Sequence, residues 1–214
     1  TNFLIWVGNT MLVAVIATGI SLLLGTMLAY PLARMRFPGA ILLGVAVAIT
    51  YLIPQTLLFV PMADLIGRMQ PGNPLTAVIL TYPTLLVPFI AWLLMGYFKT
   101  VPKELEEQAL IDGASRWRAM TRVILPLCMP GFISAGIFAF TLAQNEFLYA
   151  LLFLSRSDVR TVPIGVVGEL IRGDAFYWGQ LMAGALLGSV PVALIYSFFV
   201  KYYVAGLTTG AVKG

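Results

Sequence analysis

Five long apolar stretches occupy most of this chain, and each is long enough to cross a lipid bilayer as a helix. A helix of about 20 residues spans the ~30 Å hydrocarbon core. Hydrophobic residues make up 60% of the chain and charged residues 10%, a balance that a soluble domain of this length cannot bury in one core. We therefore predict an all-α, polytopic membrane helix bundle with spans at about 3–33, 39–66, 75–98, 127–154 and 180–203.

The positive charges are distributed unevenly over the segments between these spans. Consecutive segments alternate between the two sides of the membrane, and basic residues concentrate on the cytoplasmic side. If the first, third and last segments share one side, that side holds Arg34, Arg36, Lys99, Lys103, Arg116, Arg118, Arg122, Lys201 and Lys213, whereas Arg68, Arg156, Arg160 and Arg172 lie opposite. We therefore predict that residues 99–125 and the C-terminus are cytoplasmic.

Residues 99–125 form a hydrophilic island between two apolar stretches. Pro102 suits the first turn of a helix, and Gly113 tolerates the left-handed conformation that ends one. Ser115 can cap a second helix. Since Ala109 and Gly113 are four residues apart, they share a face that carries little side chain. We predict two short helices that meet at a tight bend and offer a shallow surface to a soluble partner.

The acidic residues of the island do not indicate an active site. Glu104, Glu106 and Glu107 follow Pro102, where the positive end of the helix dipole favours carboxylates. The chain has no histidine and one cysteine, so histidine-dependent triads, histidine-bearing zinc sites and disulfide scaffolds are excluded. We interpret the three glutamates as a solvated helix start, and we predict no catalytic residue and no metal site.

The island carries a motif that resembles a known family. The pattern E-x-A-x-x-x-G starts at Glu107, and V-x-L-P follows nine residues later and ends at Pro126. It resembles the EAA signature of binding-protein-dependent ABC importer permeases, with Gln108 and Val123 as departures. The 206–214 tail and the 145–147 element resemble the carbohydrate, maltose-permease-like branch. The resemblance implies ATPase-coupling roles for Glu107, Ala109, Asp112, Gly113, Ala114, Leu125 and Pro126.

The resemblance also implies a fold, a function and partners. The fold is the type I ABC importer permease fold, which usually has six spans, so the first span is expected to be missing from this chain. The function is that of a permease subunit of an ATP-driven sugar importer in the bacterial inner membrane. Its expected partners are a second, different permease subunit, a cytoplasmic ABC ATPase dimer, an extracytoplasmic sugar-binding protein and membrane lipid, but no nucleic acid. The chain has no G-x-x-x-x-G-K-[ST] loop, so we expect ATP and Mg²⁺ on the ATPase and no cofactor on this subunit.

Polar residues interrupt the fourth stretch at 144–146. A carboxylate at membrane depth costs about 2.5–3.5 kcal/mol on insertion scales, so it should face water or a partner. Asn145, Glu146 and Tyr149 are therefore candidates for a substrate pathway, while a hydrogen bond from Glu146 to the other permease subunit is the alternative. We also predict a long polar loop at 155–179 that contacts the binding protein or is a solvated connector. Its candidate contact residues are Arg156, Arg160, Glu169 and Arg172.

Prolines and small residues indicate kinks and close helix packing. Proline inside a membrane helix removes a backbone hydrogen bond, and small residues four apart let two helices approach closely. The prolines are Pro54, Pro61, Pro83 and Pro88, and the small-residue pairs are Ser21 with Gly25 and Gly184 with Gly188. Kinked helices and a buried glutamate are also compatible with a channel or secondary transporter. An ABC permease for an amino acid or an ion is the nearer alternative.

Overall fold

The computed structural model describes the backbone of residues 2–172 and 175–211 and the side chains of residues 2–171 and 177–199. Most of this range is helical. The helices are α1 (Phe3–Arg34), α2 (Ala40–Leu52), α3 (Gln55–Met69), α4 (Pro74–Thr81), α5 (Pro83–Thr100), α6 (Lys103–Ile111), α7 (Arg116–Ala119), α8 (Leu125–Leu127), α9 (Met129–Gln144), α10 (Leu148–Phe153), α11 (Val162–Leu170) and α12 (Trp178–Ala211). A π-helical turn (Met120–Ile124), a 3₁₀ turn (Ser157–Val159) and the antiparallel pair β1 (Ile171–Arg172) and β2 (Ala175–Phe176) complete the regular structure in this range.

Three helical stretches in the described part of the chain are long and apolar enough to cross a membrane. They are Phe3–Arg34, Pro74–Thr100 and Trp178–Phe199. The number rises to five if each of two bent helix pairs, α2 with α3 and Arg116–Leu127 with α9, forms one span. The all-α, multi-span fold class predicted from the sequence is confirmed.

Two of the predicted spans are broken, whereas α4 and α5 continue one another across Tyr82 as the stretch Pro74–Thr100. The stretch 39–66 is divided between α2 and α3 at Ile53 and Pro54. Pro54 is the N-cap of α3, with ψ 130°. Its ring disfavours a helical conformation at Ile53 and it has no N–H to donate, so α2 ends before it. The stretch 127–154 contains a second break between α9 and α10. The second break coincides with the polar residues at 144–146, whereas hydropathy alone does not reveal the first, because apolar residues surround Pro54.

The four prolines predicted to kink spans fall into two groups. Pro54 and Pro83 lie where α3 and α5 begin, and therefore mark helix starts. Pro61 and Pro88 lie inside α3 and α5, where each removes one backbone hydrogen bond from a continuing helix.

The chain folds as two compact units. The first unit comprises residues 1–20, 53–86 and 140–197, and the second comprises residues 21–52, 87–139 and 198–214. Several helices, α1 among them, contribute residues to both units.

In the second unit, α1 packs closely on α5 at Gly25. A β-carbon at Gly25 would lie 2.5 Å from Cγ2 of Ile90 and 2.9 Å from its Cβ. The side chain of Ile90 is fully buried at this contact. The close approach predicted for Ser21 and Gly25 thus has α5 as its partner.

In the first unit, the small residues of α12 pack against α11. A β-carbon at Gly184 would lie 3.1 Å from Val166, and one at Gly188 would lie 3.0 Å from Val162. The Gly188 carbonyl also accepts a hydrogen bond of 2.7 Å from Nε2 of Gln144 on α9. The spacing of Gly184 and Gly188 predicts close packing on another helix, and that helix is α11.

The contact at Gly25 generates a stability prediction with a control on the same helix. Gly25→Ala forces Ile90 or the backbone of α5 to move, so we expect the free energy of unfolding to fall by about 1–3 kcal/mol. Gly19→Ala should cause no loss, because nothing lies within 4 Å of a β-carbon there. Thermal unfolding of the purified protein in detergent measures both, and equal midpoints for the two variants would contradict the packing described.

Candidate functional site

The hydrophilic island forms two short helices joined by a left-handed turn, as its sequence predicts. Gly113 adopts φ +85°. The N–H of Gly113 donates to the carbonyl of Leu110 at 3.1 Å, and the N–H of Ala114 donates to that of Ala109 at 2.9 Å. These two bonds are the Schellman motif that ends α6. Ser115 then caps α7, since its Oγ accepts a backbone N–H at 3.3 Å.

A π-helical turn follows α7 and is explained by the proline after it. The N–H of Leu125 donates to the carbonyl of Met120 five residues back. Pro126 has no N–H, and in a regular helix its ring collides with the carbonyl four residues back. The wider turn relieves this conflict. The chain then bends by 82° between Arg116–Leu127 and α9.

The turn between α6 and α7 presents large apolar side chains to solvent. Ile111 is 84% exposed and Trp117 is 57% exposed. Exposed apolar groups on an otherwise hydrophilic segment are typical of a surface that binds another protein. We call residues 103–119 the coupling hairpin. It brings together five of the predicted coupling residues, namely the exposed Glu107, Asp112 and Gly113 and the half-buried Ala109 and Ala114, while Leu125 and Pro126 follow the π-helical turn.

One glutamate of the hairpin differs from the prediction of a solvated helix start. Glu104 and Glu107 are exposed, but Glu106 is only 6% exposed. Its Oε1 accepts a hydrogen bond of 2.6 Å from the hydroxyl of Tyr30, and its Oε2 lies 3.7 Å from Nε of Arg34. A carboxylate loses several kcal/mol of hydration when it is buried, so it needs such partners.

The partners of Glu106 come from the last turns of α1. Arg34 is 1% exposed at its side chain and donates from Nη2 to the carbonyl of Val101 at 2.8 Å. The ring of Tyr30 meets Phe98 edge to face, with centroids 6.2 Å apart. We call Tyr30, Arg34 and Glu106 the buried polar cluster. The available sequence signal was the spacing of four between Tyr30 and Arg34, which places them on one face of a span end.

A polar cavity of about 400 Å³ lies beside the buried polar cluster. Four basic and two acidic side chains surround it, so positive charge dominates the space next to Glu107. The lining residues are Arg34, Met35, Arg36, Lys103, Glu106, Glu107, Leu110 and Arg116.

The candidate pathway residues do not share one surface. Asn145 is exposed and lines a largely apolar cleft of about 730 Å³ that also contacts α11 and α12. Tyr149 is fully buried. Glu146 is 8% exposed, and its two carboxylate oxygens accept the N–H groups of Tyr149 and Ala150 at 2.9 and 3.1 Å. This local role as the cap of α10 was not among the roles predicted for Glu146.

The predicted outer loop contains a helix, α11, and its start is anchored to α1. Ile164 and Gly165 form the buried face of α11. The polar residues around them conceal this face in the sequence. Nε1 of Trp6 donates to the carbonyl of Ser157 at 2.7 Å. The side chain of Asn9 donates to the carbonyls of Asp158 and Arg160 at 3.1 and 3.0 Å.

The charged residues of this region pair with one another. Arg156 donates from Nε to Asp158 at 3.0 Å, and this hydrogen bond lowers the pKa of the Asp158 carboxyl. Arg160 lies 3.8 Å from Glu169, which also accepts a hydrogen bond from the hydroxyl of Ser157. The side chain of Arg172, the fourth candidate contact residue, lies outside the described residues.

The described part of the chain thus combines helices long and apolar enough to cross a membrane with a solvent-facing coupling hairpin. Residues 21–209 match the family described as binding-protein-dependent transport system inner membrane component, and the chain belongs to this family. It is therefore a multi-pass permease subunit of a binding-protein-dependent ABC transporter. The family predicted from the EAA-like motif is confirmed.

Individual relatives and solved structures agree with this assignment. The chain is 38% identical to the sulfoquinovosyl glycerol transport system permease protein SmoH of Agrobacterium fabrum, over 96% of this chain and 72% of that protein. It is 34% identical to the trehalose/maltose transport system permease protein MalG of Thermococcus litoralis, over 100% and 77%. A chain of a bacterial ABC transporter involved in alginate import has the same fold, with a TM-score of 0.76 at 20% identity over 95% of this chain and 76% of that one. A chain of the MetNI methionine ABC transporter gives a TM-score of 0.68 at 20% identity, over 96% and 94%.

The contacts of Glu146 predict a structural effect of its removal. Glu146→Ala leaves two backbone N–H groups of α10 without acceptors, so we expect the free energy of unfolding of the protein to fall by about 1–2 kcal/mol. Glu146→Gln keeps one acceptor oxygen and should lose less. Asn145→Ala is the control, because its side chain is exposed. Thermal unfolding in detergent ranks the three variants, and a Glu146→Ala midpoint equal to that of wild type would refute the capping role.

Proposed function

We propose that this chain forms half of the translocation pathway of an ATP-driven carbohydrate importer. The observation that carries the coupling part of this proposal is the coupling hairpin, a solvent-facing pair of helices with exposed Ile111 and Trp117. The sugar part rests on the relatives, whose names specify sulfoquinovosyl glycerol, trehalose/maltose and diacetylchitobiose. The pathway would be completed by a second, different permease subunit within the lipid bilayer.

In this proposal the coupling hairpin docks on a cytoplasmic ABC ATPase dimer. Ile111 and Trp117 would enter an apolar depression of the ATPase, and Glu107 would pair with a basic residue at its rim. ATP and Mg²⁺ would bind to the ATPase, so this subunit would convert closure of the ATPase dimer into movement without catalysing hydrolysis. The excess of basic residues on the hairpin side of the chain supports a cytoplasmic location for the hairpin and for the C-terminus.

The opposite side of the permease is proposed to receive the sugar-binding protein. The region around α11 is held by Trp6 and Asn9 and by the pair of Arg160 with Glu169. A fixed surface of this kind can be recognised without a large ordering cost. Asn145, on the cleft formed with α11 and α12, is the better placed of the candidate pathway residues to meet a hydroxylated substrate.

Gly113 offers a test of the coupling hairpin. Gly113→Val places a β-branched residue at φ +85°, which costs about 1–2 kcal/mol and shifts the α6–α7 bend. We expect transport to fall on the order of ten-fold while the protein still inserts in the membrane. Gly113→Asn is the matched control, since asparagine tolerates the left-handed region. Transport by reconstituted complexes measures both, and normal transport by Gly113→Val would contradict the proposal.

A second test addresses the substrate class. Proteoliposomes that contain both permease subunits and the ATPase are mixed with the cognate binding protein, loaded in turn with mono-, di- and oligosaccharides and with amino acids. We expect ATP hydrolysis to rise only with one or more of the carbohydrates. Stimulation by an amino acid, with none by any sugar, would reject the carbohydrate assignment and leave the ABC permease assignment in place.

A further inference from the structure

The buried polar cluster connects two parts of the chain that are distant in sequence. Tyr30 and Glu106 are 76 residues apart, so no short linker holds α1 to α6. By contrast, α6 is joined to α5 through Val101 and Pro102. The cluster therefore adds a mechanical connection that chain continuity does not supply.

The cluster is built to resist separation. The side chains of Arg34 and Glu106 are 1% and 7% exposed, and moving them apart would leave each charge buried without its partner. The hydroxyl of Tyr30 holds Oε1 of Glu106 at 2.6 Å, while Arg34 also holds the carbonyl of Val101. Three segments consequently meet at the buried polar cluster, namely the end of α1, the α5–α6 linker and α6 itself.

The packing around the cluster favours motion of these segments as one body. Phe98, the edge-to-face partner of the Tyr30 ring, is fully buried on α5. Gly25 brings α1 against Ile90 on the same helix. The end of α1 is thus held to α5 by apolar packing and to α6 by polar bonds. If α5 and α6 moved without the end of α1, the apolar packing would be exposed and the polar bonds would break.

We propose that Glu106 is a positioning residue that makes the cytoplasmic end of α1 move together with the coupling hairpin. The inference rests on the proposed function, because it requires the hairpin to be displaced by an ATPase. Glu106 takes no part in docking itself, since it is buried, whereas Glu107 beside it is exposed. The two adjacent glutamates would then have different tasks, one facing the ATPase and the other facing α1.

The test separates coupling from folding and assembly. Tyr30→Phe, Glu106→Gln and the double variant are reconstituted with the partner permease, the ATPase and the binding protein, and sugar imported per ATP hydrolysed is measured. Asp64→Asn is the control, because Asp64 is an exposed carboxylate on α3, outside the coupling hairpin. We expect sugar per ATP to fall on the order of five-fold in either single variant, with the ATPase still bound. The double variant should lose no more than the worse single one, since both remove the same link.

Two results would overturn the inference. One is an unchanged ratio of imported sugar to hydrolysed ATP in Tyr30→Phe. This variant removes a single hydroxyl, so it decides the test even if Glu106→Gln does not assemble. The other is a double variant whose losses multiply, since independent effects behave in that way. Failure of the proposed function would look different, because the wild-type complex and Asp64→Asn would then also fail to import sugar.

Discussion

The contacts of the Glu106 carboxylate are the interactions on which the coupling-hairpin end of this structure depends. A charge in the interior of a membrane subunit is tolerated only with partners, and here the partners fix where α1 ends relative to the coupling hairpin. Tyr30 contributes the shorter bond and Arg34 the opposite charge. Because the segments that meet at Glu106 are far apart in sequence, the hairpin is a part of the folded bundle as well as a loop between two helices.

Backbone hydrogen bonding explains the local shapes around that centre. Gly113 at φ +85° lets two N–H groups turn back and close α6, and the π-helical turn before Pro126 accommodates a residue that cannot donate. Glu146 does similar work in the first unit, where it accepts the free N–H groups at the start of α10. Each device accommodates backbone groups that lack a regular partner within the helix.

Local signals in the sequence were sufficient for the class, the multi-span pattern and the hairpin. Pro102, Gly113 and Ser115 act within a few residues of themselves, so their effects could be predicted. The burial of Glu106 could not, because it arises from a contact with α1 that the adjacent Glu104 and Glu107 do not make. The helix at 162–170 was missed for a related reason, since its apolar face is buried under Trp6 and the surrounding polar residues concealed it.

The central claim, that the end of α1 and the coupling hairpin move as one body, can be measured directly. Spin labels are placed at Arg36, just beyond α1, and at Gln108 on α6, both of which are exposed. Their distance distribution is recorded by pulsed electron paramagnetic resonance in the assembled transporter with and without ATP. We predict one narrow distribution that is the same in both states and that broadens when Glu106→Gln is introduced. A wild-type distance that changes with ATP would contradict the account.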